Sequence, residues 1–173
     1  MLLLAACGLA PDLGRISASR LAQANAIEAE AGVELLYWDN KNLGFGHVAV
    51  AIHYPDQSKS DLYISYAMGN DYEIDREKHG KDPIRVKLPG RKSEPLSHFE
   101  KWYRSSPYSD PMSPSYGADY SMLKHNCAHG ALDVLRALGY NLAIRGAMPI
   151  ALRPVQVYRA AKNLNESALK PAF

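Results

Sequence analysis

Cysteine is scarce in this chain, which holds only Cys7 and Cys127. One bridge from the extreme N-terminus to a late segment would not make a disulfide framework, so the two thiols are read as having separate jobs. An excess of one charge is also lacking. Twenty basic and 18 acidic residues leave a net charge of +2, without the clustered basic excess of a nucleic-acid binder, and no such partner is expected. The one basic concentration, Lys87 to Lys92 with Arg85 nearby, is broken by Leu88, Pro89 and Gly90 and reads as a solvated strand end and turn. No apolar run approaches the roughly 20 residues of a membrane span. A Gly-x-Ser-x-Gly elbow, a phosphate loop and a dinucleotide fingerprint are all missing, so no cofactor is expected.

What is present is a chain of 173 residues, 47% apolar, enough for one domain with its own core. Residues 14–173 are read as that domain, and residues 1–13 are set apart. Within MLLLAACG, Leu4-Ala5-Ala6-Cys7 resembles a bacterial lipobox, yet the apolar run is short and no basic residue precedes it. Two readings stay open. Either the start codon lies upstream and Cys7 carries a lipid anchor, or the segment is a hydrophobic tail. The first is favoured and places the protein in a bacterial envelope or among secreted proteins, touching membrane only through Cys7.

Residues 14–31 are Ala-rich, with Leu21, Ala24, Ile27 and Ala31 at helical spacing, and predict a first helix. Val33 to Trp38 is a short apolar strand. Phe45 to Tyr54 alternates cleanly: Val48, Val50 and Ile52 face one way, and His47, Ala49, Ala51 and His53 the other. Leu62 to Met68 returns as its hairpin partner. Residues 71–82 are highly charged and read as a surface excursion. Pro83 to Leu88 supplies a third strand of the meander, ended by Pro89-Gly90. A helix is expected over 96–104, and a Ser-, Pro- and Tyr-rich loop over 105–119 reads equally as a lid or a connector. The best helix covers 126–138, with Ala131, Val134, Leu135 and Leu138 on one stripe, Asn126 as N-cap and Gly139 as stop. An amphipathic helix over about 155–164 closes the chain.

Cys127 therefore lies one residue past an N-cap. Unpaired N–H groups and the positive end of the helix dipole stabilise an anion there, one standard way to activate a thiol. His47, on the strongest strand, is a suitable base, and a helix-borne Cys facing a strand-borne His suits acyl transfer. The first-turn amide of Cys127 can serve an oxyanion. The competing reading is a buried, inert cysteine, and position alone leaves both open.

The stretch Tyr120 to His129, containing Asn126-Cys127-Ala128-His129, resembles the opening of the nucleophile helix in circularly permuted papain-like families. Among these are the lecithin:retinol acyltransferase-like proteins and the PPPDE isopeptidases. Gly46 to Ile52 is similar to the His-bearing strand of the same superfamily and of NlpC-like cell-wall peptidases. His47 precedes Cys127, the order of the permuted families. The resemblance, over about residues 43–139, implies an α+β fold: a small antiparallel β-meander packed on the nucleophile-bearing helix. It makes Cys127 the nucleophile and His47 the base, with Ser65 on the next strand orienting the imidazole. Asn126, His125 and Tyr63 are the expected oxyanion or substrate-binding residues. In the acyltransferase and PPPDE motifs Phe commonly follows Asn-Cys-x-His, whereas here Gly130 does.

The other histidines are given structural roles. His129 lies roughly 200° around the helix from Cys127, and His53 stands too far along its strand to join His47. A helix starting at Asn126 points His125, Cys127 and His129 apart, so no metal is expected. The resulting expectation is a thiol peptidase or amidase acting through a thioester on a peptide, isopeptide or peptidoglycan bond. The alternatives are a lipid acyl hydrolase or acyltransferase of the same class, acting on acyl esters, and a non-catalytic lipoprotein that uses the fold for binding.

Overall fold

Strand β1, Ala31–Trp38, is apolar on both faces and almost wholly buried, a pattern that belongs at the centre of a sheet rather than its rim. It takes two antiparallel partners, β2 (His47–His53) and β4 (Ile84–Arg91). β2 pairs in turn with the three-residue β3 (Leu62–Ile64), giving a four-stranded antiparallel sheet in the order β3-β2-β1-β4. The computed structural model describes residues 30–39, 46–66, 69–111, 120–121, 124–144 and 152–169. Four helices occur among them: α1 (Tyr72–His79), α2 (Ser93–Ser105), α3 (Cys127–Ala137) and α4 (Pro154–Ala168). The fold is α+β, as expected.

One face of the sheet carries Val33, Leu35, Tyr37, Val48, Val50, Ile52, Ile64, Val86 and Leu88 against α2, α3 and α4. Leu36, Trp38, Ala49 and Ala51 lie on the other face, with Tyr63 and Tyr72 packed on them. The alternation expected for β2 is therefore observed. Val134 and Leu135 of α3 are fully buried, each stabilising the packing by about 1.5–3 kcal/mol. The helix ends where Gly139 turns left-handed (φ 79°). The Gly139 and Tyr140 amides donate to the carbonyls of Arg136 and Leu135, a Schellman closure.

Three expectations change. The strand over 83–88 does not extend the hairpin as a third meander strand; β4 crosses to the open edge of β1. The physical reason is that β3 is short and α1 intervenes between it and β4. β4 also runs through Pro89 and Gly90 to Arg91, which an edge strand tolerates. The region read as a charged surface excursion contains α1, capped by Asp71, whose side chain accepts from the Glu73 and Ile74 amides, and stopped by left-handed Gly80. The first helix expected over 14–31 falls outside the described residues except for Glu30 and Ala31, and Ala31 already begins β1. The lipobox-like segment and residues 112–119 of the expected loop also lie outside them.

Candidate functional site

Asn126 fixes the start of α3. Its Oδ1 accepts from the amides of Ala128 (2.9 Å) and His129 (3.4 Å), while its Nδ2 donates to the Leu152 carbonyl (3.0 Å). His129 folds back so that its Nδ1 accepts from the Asn126 amide at 3.3 Å, completing a capping box. A two-way backbone bridge between Ser121 and His125 (2.9 and 3.0 Å) pins the approach to the helix. Cys127 is thereby held in the first turn, 4% exposed. Close packing next to it explains Gly130: a Cβ there would stand 2.7 Å from Cβ of Tyr66.

His47 opens β2. By alternation it belongs to the face away from α3, but at the strand's first position its imidazole still hydrogen-bonds Cys127. Gly46 fits the approach to the strand, since a Cβ would meet both the Trp38 carbonyl and Cε2 of Tyr37 at 2.7 Å. On its other side, Nε2 of His47 lies 2.9 Å from Oγ of Ser65 and 3.1 Å from Oδ2 of Asp75. Nδ1 is thus the nitrogen left for the thiol. Ser65 is fully buried, and its amide donates to Oδ1 of Asn70 at 2.8 Å.

Asp75 was not singled out from sequence. It is fully buried on α1 and its Oδ2 gathers His47, the Tyr63 hydroxyl (2.5 Å) and Ser65. Burial alone would raise its pKa, but the His47, Ser65 and Tyr63 hydrogen bonds hold it below the usual carboxylate range. Burial alone would also discharge His47. Its bonds to Asp75 and Cys127 outweigh that and push it up to about 9. At neutral pH, then, the ring of His47 is an imidazolium between the Asp75 carboxylate and the sulfur of Cys127. Burial first, and Asp75 second, raise the Tyr63 phenol, which stays protonated and donating.

The expected residues divide accordingly. Cys127, His47 and Ser65 come together. Tyr63 reaches the same cluster but serves Asp75, and the Asn126 side chain is committed to the helix cap and Leu152. His125 faces away: its ring lies between the hydroxyls of Tyr66 (3.3 Å) and Tyr108 (3.4 Å). It lines a cavity of about 530 Å³ with Trp102, Tyr108 and Asp133. His53 pairs instead with Asp61 at 2.7 Å. Tyr120, 38% exposed, lies close enough to Cys127 for that group's charge, after burial, to raise its phenol.

Comparison with protein-family models, with curated proteins and with solved structures finds no match.

Proposed function

We propose that the protein is a cysteine-dependent hydrolase that cleaves an amide bond, in a peptide, isopeptide or peptidoglycan, through a thioester. The observation that carries this reading is the buried imidazole of His47 held between the Cys127 thiol and the Asp75 carboxylate. A nucleophile, a base and a group orienting the base are the three parts that acyl transfer by a thiol requires. The order His47, Asp75, Cys127 along the chain, together with the sheet packed on α3, is compatible with the circularly permuted papain-like class suggested by the motifs.

In this mechanism the proton leaving sulfur resides on His47, with its charge balanced by Asp75. The Cys127 thiolate attacks the carbonyl carbon, and the carbonyl π pair moves onto oxygen near the first-turn amide of Cys127. Collapse of that oxyanion expels the amine, which takes the proton from Nδ1 of His47. A water molecule, losing its proton to His47, then hydrolyses the thioester, and the released sulfur regains its ion-pair partner. Asp75, fixed by Tyr63 and Ser65, keeps the ring in the plane this relay needs.

Labelling with iodoacetamide tests the pair. Cys127 is expected to react selectively and to lose most of that reactivity in His47→Ala; labelling indifferent to His47 would remove the basis of the proposal. Incubation with peptidoglycan, ubiquitin-like conjugates and phospholipid vesicles then assigns the bond. Release of fatty acid alone would replace amide cleavage with acyl-ester chemistry.

A further inference from the structure

One half-buried titratable group is left unused by this mechanism. His79 lies one turn beyond Asp75 on α1, so both side chains leave the helix on one face. Its ring stacks on that of His47, with centroids 5.2 Å apart and planes 17° from parallel, and its back is covered by Trp38 at 5.5 Å. Both ring nitrogens of His79 are sealed from solvent without a hydrogen-bond partner, and so is Oδ1 of the fully buried Asp75. Unsatisfied polar atoms in such a place are costly. They belong to a cluster in which one ligand atom each from His47, Asp75 and His79 lie within 4.8 Å of one another.

We propose that His47, Asp75 and His79 form a binding site for one divalent transition-metal ion of the zinc type, and that its occupation arrests the thiol site. Two imidazoles and a carboxylate are a donor set that zinc favours, with a fourth position left for water. Donor atoms around a tetrahedral zinc stand about 3.3 Å apart, so the set must draw in slightly. Movement of the His79 ring towards the other two breaks no hydrogen bond, because its nitrogens make none. Asp75 contributes its unpartnered Oδ1, and His47 contributes Nε2. A metal on Nε2 replaces the proton shared with Asp75 and leaves Nδ1–H a far weaker acid towards a leaving amine. This arrest rests on the thiol-hydrolase reading, whereas the binding itself does not.

The test uses the full chain, stripped of metal, titrated with zinc chloride by calorimetry and with cobalt(II) by visible absorption. One equivalent is expected to bind, with cobalt d–d bands and no sulfur-to-metal charge-transfer band. Binding should persist in Cys127→Ala and weaken by about tenfold or more in His79→Ala. His79→Gln, which keeps the ring's bulk roughly in place, gives the same reading if near-ultraviolet circular dichroism shows that His79→Ala is misfolded. Absence of binding, affinity unchanged in the folded His79 variant, or a charge-transfer band that disappears in Cys127→Ala would each overturn the site. Iodoacetamide labelling without metal is read in parallel. Metal binding that persists while labelling ignores His47 would overturn the hydrolase reading and leave the metal site standing.

Discussion

Replacing Asp75 by Asn removes one charge from a group with no exposed surface and leaves the shape of the side chain almost unchanged. The wild-type imidazole of His47 is lifted from 6.5 to about 9, a shift corresponding to about 3 kcal/mol of linked stability. Because the folded value is raised, that stability is fully present below about pH 6.5 and is lost as pH rises through 9. Asp75, depressed in the folded state, stays ionised across that window and adds no slope there. In Asp75→Asn the burial that disfavours the charged ring remains while the carboxylate is gone. Cys127 holds part of that shift, so the variant should be up to about 3 kcal/mol less stable at pH 6. The deficit should shrink towards pH 10. Urea unfolding followed by tryptophan fluorescence at several pH values, in EDTA to keep metal out, measures both curves. Their difference cancels groups that titrate alike in the two proteins. Curves that run parallel from pH 6 to 10 would refute the claim that Asp75 holds the charge on His47.

Other substitutions probe the frame around this pair. Gly130→Ala gains helix propensity, about 1 kcal/mol, but drives a Cβ to within 2.7 Å of Tyr66; thermal unfolding should show a net loss of about 1–2 kcal/mol. Asn126→Ala removes two cap bonds and the tether to Leu152, costing about 1–2 kcal/mol in denaturant titration. It should slow iodoacetamide labelling of Cys127 as well. Tyr63→Phe takes one donor from Asp75, and a loss of about 1–2 kcal/mol is expected from the same unfolding assay. His53→Ala, outside the cluster and paired with Asp61, should leave the labelling rate of Cys127 unchanged.

The parts of the site legible in sequence are those whose signals are local. The alternation of β2 puts His47 on a defined face, and an N-cap followed by an apolar stripe puts Cys127 in a first helical turn. Asp75 was hidden because hydrophobic periodicity cannot reveal α1. The only buried residue of that helix is a carboxylate, and its charged outer face resembles a solvated loop. The readable signs were its ends, Asp71 and Gly80, with Asp75 and His79 one turn apart between them. The pairing of β4 with β1 was hidden for another reason: strand partners separated by a helix are chosen by which edge is open, which neighbouring residues do not encode. Gly130 looked like a departure from a motif. Its cause, Tyr66 at 2.7 Å from the missing Cβ, comes from a distant part of the chain.

The bond from Asn126 to the Leu152 carbonyl also has a meaning in time. A chain synthesised from its N-terminal end delivers β1 to β4 first, then α3, and the segment leading into α4 last. The sheet and its histidine thus exist before the sulfur is made. The cap that aims the sulfur is fully fastened only after residue 152 has emerged. A nascent chain that stops short of residue 152 would carry Cys127 without the bond that fastens its cap to the segment leading into α4.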